Sequence, residues 1–363
     1  MSVEFIGFVG WREGSESRPS KGPEFDIDYI ESTARAHEEG GFDRVLVAFA
    51  ARTPESILIA QHVASVTSRL NLMVAHRPGF TAPTLAARQF ATLDHFSRGR
   101  AAVHIITGGN DVELRQDGDW TEKDQRYART DEYLDVVRRE WTSEAPFDYD
   151  GKFYRVQNAL GGIKPVQKPH IPIYFGGSSE AAIPVAGKHA DVYALWGETY
   201  DQVKETIARV RAAAAPHGRE KHVRFSLSLR PILADTEEAA WDRAERILEQ
   251  TIALREKAGL PVNGHAPQNA GSQRLLQLAA AGARLDKRLW TGVAAVTGAQ
   301  GNSTSLVGTP DQVADALLDY HALGVTTFLI RGFDPLEDAI DYGARLIPTF
   351  KAKLAQRATV GAS

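Results

Sequence analysis

The chain has 363 residues, 43% of them hydrophobic and 24% charged, with a net charge of −4 and a pI near 6.3. These are the proportions of a soluble globular protein, and the mild acidity argues against nucleic acid as a main partner. The absence of cysteine excludes disulfides, thiolate metal sites and cysteine nucleophiles, and fits a cytoplasmic protein.

In chain order, short apolar runs alternate with amphipathic stretches. Strands are expected at Val3–Val9, Asp43–Phe49, Leu70–Ala75, Ala101–Ile106, Ile171–Phe175, Asp191–Trp196, Val223–Leu233 and Thr326–Ile330. The third, fourth, fifth and eighth are continuous apolar runs, as parallel strands covered on both faces require. Helices between them carry their own punctuation. Asp26–Glu39 stops at Gly40-Gly41, and Thr53-Pro54-Glu55 opens a helix with Thr53 as cap. Thr236-Glu237-Glu238 and Thr309-Pro310-Asp311 open two more. The N-terminus begins a strand directly, without a signal-peptide layout, and no apolar run approaches the ~20 residues that span a bilayer.

Eight strand-then-helix repeats without a break in composition predict an α/β fold, a single (β/α)8 TIM barrel over residues 1–355 with a tail at 356–363. A doubly wound sheet is the alternative. A minimal barrel needs about 250 residues, so insertions are expected, at about 108–123, 145–170 and 258–304. The second contains a small hairpin through Asp150-Gly151. The third, with Gly264, Gly271, Gly298 and Gly301, reads as a long loop able to act as a lid.

The run Tyr174-Phe175-Gly176-Gly177-Ser178-Ser179 delivers two glycines and two hydroxyls from a buried strand to the start of a helix. Free backbone N–H groups and the helix dipole converge at such a place, which suits a phosphate. The plainer alternative is that the serines only cap the helix. Active sites of barrels lie at the C-terminal strand ends. Those ends supply Trp11, Arg52, His76, Arg77, His104, Thr107, Trp196, Arg230, Arg331 and Phe333. Four arginines favour an anionic ligand, since a guanidinium holds sulfonate or phosphate through paired donors, although any one could serve a neighbouring carboxylate instead. His76 and His104 lack a third partner for a metal, and no nucleophile elbow or dinucleotide fingerprint is present, so a cofactor is expected to carry the chemistry.

Across nearly its whole length the chain resembles the bacterial-luciferase-like flavin monooxygenases, and among them the reduced-FMN-dependent alkanesulfonate monooxygenases. The resemblance rests on Arg77-Pro78, Pro83-Thr84, Ala86-Ala87-Arg88-Gln89, Ala91-Thr92-Leu93-Asp94, Gly99-Arg100-Ala101, Thr107-Gly108-Gly109, Arg126-Tyr127, Tyr174 to Ser179, Trp196-Gly197-Glu198 and Leu306-Val307-Gly308. It implies a two-component system. An NAD(P)H-dependent flavin reductase supplies reduced FMN as a dissociable cosubstrate, and this chain lets it react with O2 to oxidise a small anionic substrate, releasing sulfite if that substrate is a sulfonate. It further implies Gly176, Gly177, Ser178 and Ser179 at the FMN phosphate with Arg126 and Tyr127, and Thr107 and Trp196 along the flavin. A homo-oligomer is expected, with no nucleic acid or membrane partner.

Departures from the family pattern fall on the substrate shell. Pro54 stands for a cysteine, Ser228-Leu229-Arg230 for an Arg-x-His, Phe333 for a tyrosine, Thr297 for a loop arginine, His104 for an asparagine and His76 for a leucine. Phe333 cannot donate a proton, and Arg230 cannot serve as a base at neutral pH. His76 and His104 are therefore expected to move protons or to bind the flavin, and Arg230, Arg331 and Arg52 to hold the anion, with Trp11 and Phe333 beside the substrate. Oxidation of a sulfone, amide or heterocycle, a deazaflavin-dependent reaction, and non-catalytic flavin binding stay open.

Overall fold

A computed structural model describes residues 3–262, 267–301 and 303–360; Gly264 and the last three residues of the expected tail lie outside them. Among the described residues the fold is a (β/α)8 barrel of parallel strands. Its strands are β1 (Glu4–Val9), β2 (Arg44–Val47), β3 (Asn71–His76), β4 (Ala101–Ile105), β5 (Ile173–Gly176), β6 (Val192–Trp196), β7 (Arg224–Leu233) and β8 (Thr327–Ile330). All eight expected strands are present, with ends within three residues of the predicted ones. No helix among the described residues is long and apolar enough to cross a membrane.

The chain packs as two compact units. One comprises residues 46–194 and 209–223. Its strands run β3–β4–β5–β6 side by side, with Ala75 opposite His104 and His104 opposite Tyr174. Helices α2 (Ser56–Val66), α3 (Pro83–Phe96), α4 (Asp111–Gln116), α5 (Lys123–Thr142) and α6 (Ala182–His189) connect them. Helices α3 and α5 pack together over buried Phe90, Tyr133 and Trp141, and the Trp141 indole donates to the Ala87 carbonyl at 2.9 Å. Helix α2 begins at Ser56, capped by the Glu55 carboxylate on the Leu58 amide, rather than by Thr53. Thr53 is diverted because its hydroxyl closes a turn onto Ala50. The hairpin Phe147–Asp150 with Arg155–Ala159 is present, but a four-residue loop, Gly151–Tyr154, joins its strands instead of a two-residue Asp-Gly turn.

The other unit comprises residues 1–45, 195–208 and 224–363. Here β8 lies between β1 and β7. The ten-residue β7 pairs with β8 through Ser226–Leu229, then with a further parallel strand, Ser305–Gly308, through Arg230–Leu233. Arg230 is thus the first residue beyond the β8 pairing. Helices α1 (Ile27–Glu39) and α7 (Tyr200–Ala214) precede α8 (Glu237–Lys257), which is capped by Thr236, and the helix Pro310–Ala322 is opened by a capping box of Thr309 and Gln312. The 258–304 insertion is not a bare loop. It folds into helices Ala270–Ala281 and Gly292–Thr297 and two short antiparallel strands. Trp290 and Val293 from it join Ile232, Ala244, Ile247 and Phe333 in one buried cluster, so apolar burial rather than loop character governs this segment. The last helix, Ile347–Val360, takes up the first residues of the expected tail.

Candidate active site

In the unit of residues 46–194, β5 ends at Gly176 and the chain turns through Gly177 at φ 150°. A Cβ on Gly177 would lie 2.7 Å from the Tyr127 hydroxyl and 3.0 Å from the Ala182 Cβ, so both conformation and space demand glycine. The Ala182 and Ile183 amides donate to the Ser179 carbonyl at 3.0 and 3.3 Å. Regular helix therefore starts at Ala182, three residues after the last serine, and Ala181 at its cap makes no side-chain bond. Because Ser179 enters the turn through its carbonyl, its hydroxyl is not used as a cap; that Oγ is buried without a hydrogen-bond partner.

Arg126 and Tyr127 are consecutive buried residues of α5. The Arg126 Nη1 donates to the Thr121 carbonyl at 2.6 Å and lies 3.0 Å from Asp111, while its buried Nε has no acceptor. Tyr193 donates to the Gly177 carbonyl and fixes the turn from the other side. The Ser179 hydroxyl and the Arg126 Nε are thus each buried without a hydrogen-bond partner in this unit. Thr107, buried just beyond β4, is followed by Gly108 at φ 87°, where a Cβ would meet Leu114 at 2.6 Å.

The two candidate histidines part company. His76 pairs in register with Ile105, one residue out of step with His104, and successive strand residues point to opposite faces. The His76 imidazole turns to the helices: its Nε2 lies 2.7 Å from the Tyr133 hydroxyl of α5, and Phe90 of α3 meets it edge-on. His104 sits on the other face, beside Gly176, where a Cβ would lie 3.4 Å from the imidazole. Its Nδ1 is buried without a partner. Burial pushes both imidazoles down to about 4, so each is neutral at pH 7.

Arg52 is exposed and donates to Gln116 at 3.1 Å. Arg77 is buried; its Nη2 donates to Glu113 at 3.0 Å, and its guanidinium lies 5.2 and 5.6 Å from the Phe49 and Phe80 ring centres. Glu113 also accepts from the Ala51 amide. Beyond the ends of β2 and β3 opens a cavity of about 860 Å³ lined by Phe49, Phe80, Trp120, Glu55 and the Asp119–Arg129 ion pair. Asp131, Asp135 and His189 bring three ligating atoms together, but Lys188 already bridges both carboxylates at 2.8 Å and His189 bonds Asp131 at 2.7 Å.

The unit of residues 1–45, 195–208 and 224–363 holds the remaining candidates. Trp11 is half-buried, and its carbonyl accepts from the Asp26 amide. Trp196 packs against Gly271, where a Cβ would be 3.0 Å from its ring. Beside it, Glu198 accepts two bonds of 2.7 Å from Arg274 of the insertion. Arg230 has no solvent exposure. Its guanidinium stacks 3.5 Å from the Phe333 ring centre, and Nη2 donates to the Gly332 carbonyl at 2.9 Å. Gly332 admits no side chain, since a Cβ would collide with Asp338 at 2.1 Å. Arg331 lies 4.4 Å from the Phe8 ring centre.

Both arginines share a carboxylate that sequence patterns gave no sign of: Glu16, whose Oε2 is 2.9 Å from the Arg230 Nη1 and 3.9 Å from the Arg331 Nη2. Burial alone would raise the Glu16 carboxyl, but Arg230 and Arg331 hold it down at about 2. Glu113 and Tyr133 were likewise invisible, because their importance comes only from the arginine and histidine they meet in space.

Glycine turns, a neutral histidine and arginines thus stand at the C-terminal ends of parallel barrel strands, where barrel enzymes keep their active sites. The chain belongs to the luciferase-like monooxygenase family, whose pattern matches residues 3–327. Among solved structures it is similar to riboflavin lyase (RcaE), solved with modified FMN and riboflavin, at 20% identity, with a TM-score of 0.80 and coverage of 97% of this chain and 92% of that one. It is also similar to EDTA monooxygenase (EmoA) from Chelativorans sp. BNC1 at 18% identity, with a TM-score of 0.77 and coverage of 97% and 94%. A third is an F420-dependent secondary alcohol dehydrogenase at 17% identity, with a TM-score of 0.70 and coverage of 96% and 99%.

Proposed function

We propose that this protein is a two-component monooxygenase that takes reduced FMN from a separate NAD(P)H-dependent reductase and uses O2 to oxidise a small anionic organosulfur compound, an alkanesulfonate with release of sulfite being the first choice. The observation that carries the flavin reading is the Gly177–Ser179 turn, where the Ser179 hydroxyl is buried with nothing to bond. Membership in the luciferase-like monooxygenase family and the FMN in the similar lyase structure support the same cofactor. Reduced FMN, when bound, supplies the electrons by which oxygen is activated for insertion into the substrate.

The chain's own residues do the rest. Ser178, Ser179, Arg126 and Tyr127 hold the phosphate, with Gly177 letting the turn pack closely on Tyr127 and Ala182. His104, neutral at pH 7, has one ring nitrogen that donates and one that accepts, and so can hold or pass a proton at the atom it faces. Arg230 and Arg331 supply the positive charge that selects an anion. The insertion, fastened by Arg274 on Glu198, keeps water from the Trp196 side.

A deazaflavin-dependent oxidoreductase is the second reading, favoured by the similarity to an F420-dependent dehydrogenase. One assay separates them: sulfite release from a panel of sulfonates under air, with FMN reduced by a generic reductase, against the same mixture without oxygen. Sulfite above the protein-free control, and only with oxygen, is the expected result. Oxygen uptake with tight reduced-FMN binding but no sulfite would discard the sulfonate and keep the monooxygenase. Turnover with reduced deazaflavin and no need of oxygen would overturn the proposal.

A further inference from the structure

Glu16 stands at the tip of a tight turn. The Ser15 amide donates to the Arg18 carbonyl at 2.9 Å and the Arg18 amide returns to Ser15 at 3.3 Å, leaving Glu16 and Ser17 as the two central residues. Gly14 precedes the turn at φ 140°, and the Arg18 guanidinium ties its far side to Asp334 and Glu337 at 3.1 and 3.2 Å. The turn thus presents one carboxylate to two guanidinium groups. That carboxylate is poorly matched to them. Its Oε2 is 2.9 Å from the Arg230 Nη1 but out of line for a hydrogen bond, so that Nη1, together with the Nε of both Arg230 and Arg331, remains buried without an acceptor. Two cations facing one anion leave an excess positive charge, and three N–H groups are unmet. Phe333 and Phe8 hold the two guanidinium planes from their faces, so the unmet edges cannot swing away to other partners. The Glu16 side chain as a whole is 34% exposed although its Oε2 is buried, so solvent lies beside the carboxylate that a ligand would displace.

We infer that Glu16 is a resident stand-in for an anionic ligand: Arg230 and Arg331 form a recognition site for a compact oxyanion head group, such as sulfonate or sulfate, and the ligand enters by displacing the Glu16 carboxylate. A tetrahedral oxyanion offers three acceptor oxygens where Glu16 offers one in contact, so it can meet the N–H groups left over. Glu16 then sets selectivity, because a neutral compound cannot displace it and a weakly accepting anion gains too little. This deepens the organosulfur reading by assigning the head-group end of its substrate, and it rests on that reading only for calling the anion a substrate.

The test is calorimetric binding of methanesulfonate to the flavin-free protein, at ionic strength held constant with sodium chloride, for wild type, Glu16→Gln, and Glu16→Gln with Arg230→Met. Glu16→Gln is expected to bind methanesulfonate at least about tenfold more tightly than wild type, and the double variant to lose that gain. Melting temperatures read alongside should rise with methanesulfonate more in Glu16→Gln than in wild type, as binding to the folded state requires. Equal or weaker binding by a folded Glu16→Gln overturns the inference and leaves Glu16 a structural counter-charge, as does a gain that survives Arg230→Met. The measurement uses neither flavin nor oxygen. Tight anion binding without sulfite release in the turnover assay would therefore count against the sulfonate reaction and leave the anion site standing.

Discussion

His104 and His76 have the same side chain, the same depressed basicity and neighbouring strands, yet they meet different surroundings. The difference follows from a single residue of register: Ala75, not His76, shares a row with His104. His104 turns away from the helices with a nitrogen unmet, whereas His76 spends its Nε2 on Tyr133. Replacing His104 by alanine should lower turnover by roughly 10²-fold, the usual scale for removing a proton-transfer group. His76→Gln, which can still meet the Tyr133 hydroxyl, should stay within a few-fold of wild type. Steady-state kinetics on both variants check this, and equal losses would show that both imidazoles act at the site. Strand alternation makes this separation readable from sequence once the strand ends are known, but the pairing register is not in the pattern itself. Glu16 was not readable at all. A glutamate in a polar loop looks like any solvated charge until the fold brings Arg230 and Arg331 to it.

At the scale of elements, the stretch from β5 to α6 shows how much of a site a few residues can encode. The apolar run and paired glycines disclosed a strand and a tight turn, and the observed Gly177 geometry agrees with that reading. The helix start was misjudged because serines are favoured caps; here Ser179 enters the turn by its backbone, and its hydroxyl is left for something else. If that something is the FMN phosphate, Ser179→Ala removes one charge-assisted bond of about 1.5–3 kcal/mol, raising the Kd for FMN about tenfold or more. Gly177→Ala should weaken it further, since the new methyl meets Tyr127 and Ala182. Fluorescence titration with FMN measures both; unchanged Kd values would place the phosphate elsewhere. The insertion and the Ser305–Gly308 strand were harder. Their glycines suggest loop, while Trp290, Val293 and Val307 find their partner faces only through long-range packing against α8. Contacts of that kind leave no local periodicity to read.

For the whole molecule, the fold rests on several imidazoles kept neutral inside it. His37, His76 and His104 are each pushed by burial from an ordinary 6.5 to about 4, and burial lowers His170 and His189 as well. A histidine whose basicity falls on folding binds its proton more readily when unfolded. Its contribution is therefore complete above about 6.5 and declines as pH drops toward 4. With three such groups the unfolded chain near pH 5 carries up to three more protons than the folded one, a slope approaching ~4 kcal/mol per pH unit. Glu16, held at about 2 by Arg230 and Arg331, and Asp131, held at about 2 by its bonds to His189 and Lys188, extend the loss below the ordinary carboxylate range without changing its sign. The urea midpoint should accordingly fall steeply from pH 6.5 to pH 5 and change little between pH 8 and pH 7. His76→Gln should flatten that fall by about one proton, because it removes one titrating group while keeping a partner for Tyr133. Midpoints measured at half-unit intervals decide the matter: a flat acid limb would mean that these histidines reach water or a compensating charge when protonated. That result would also remove the ground for treating His104 as neutral at the pH of turnover.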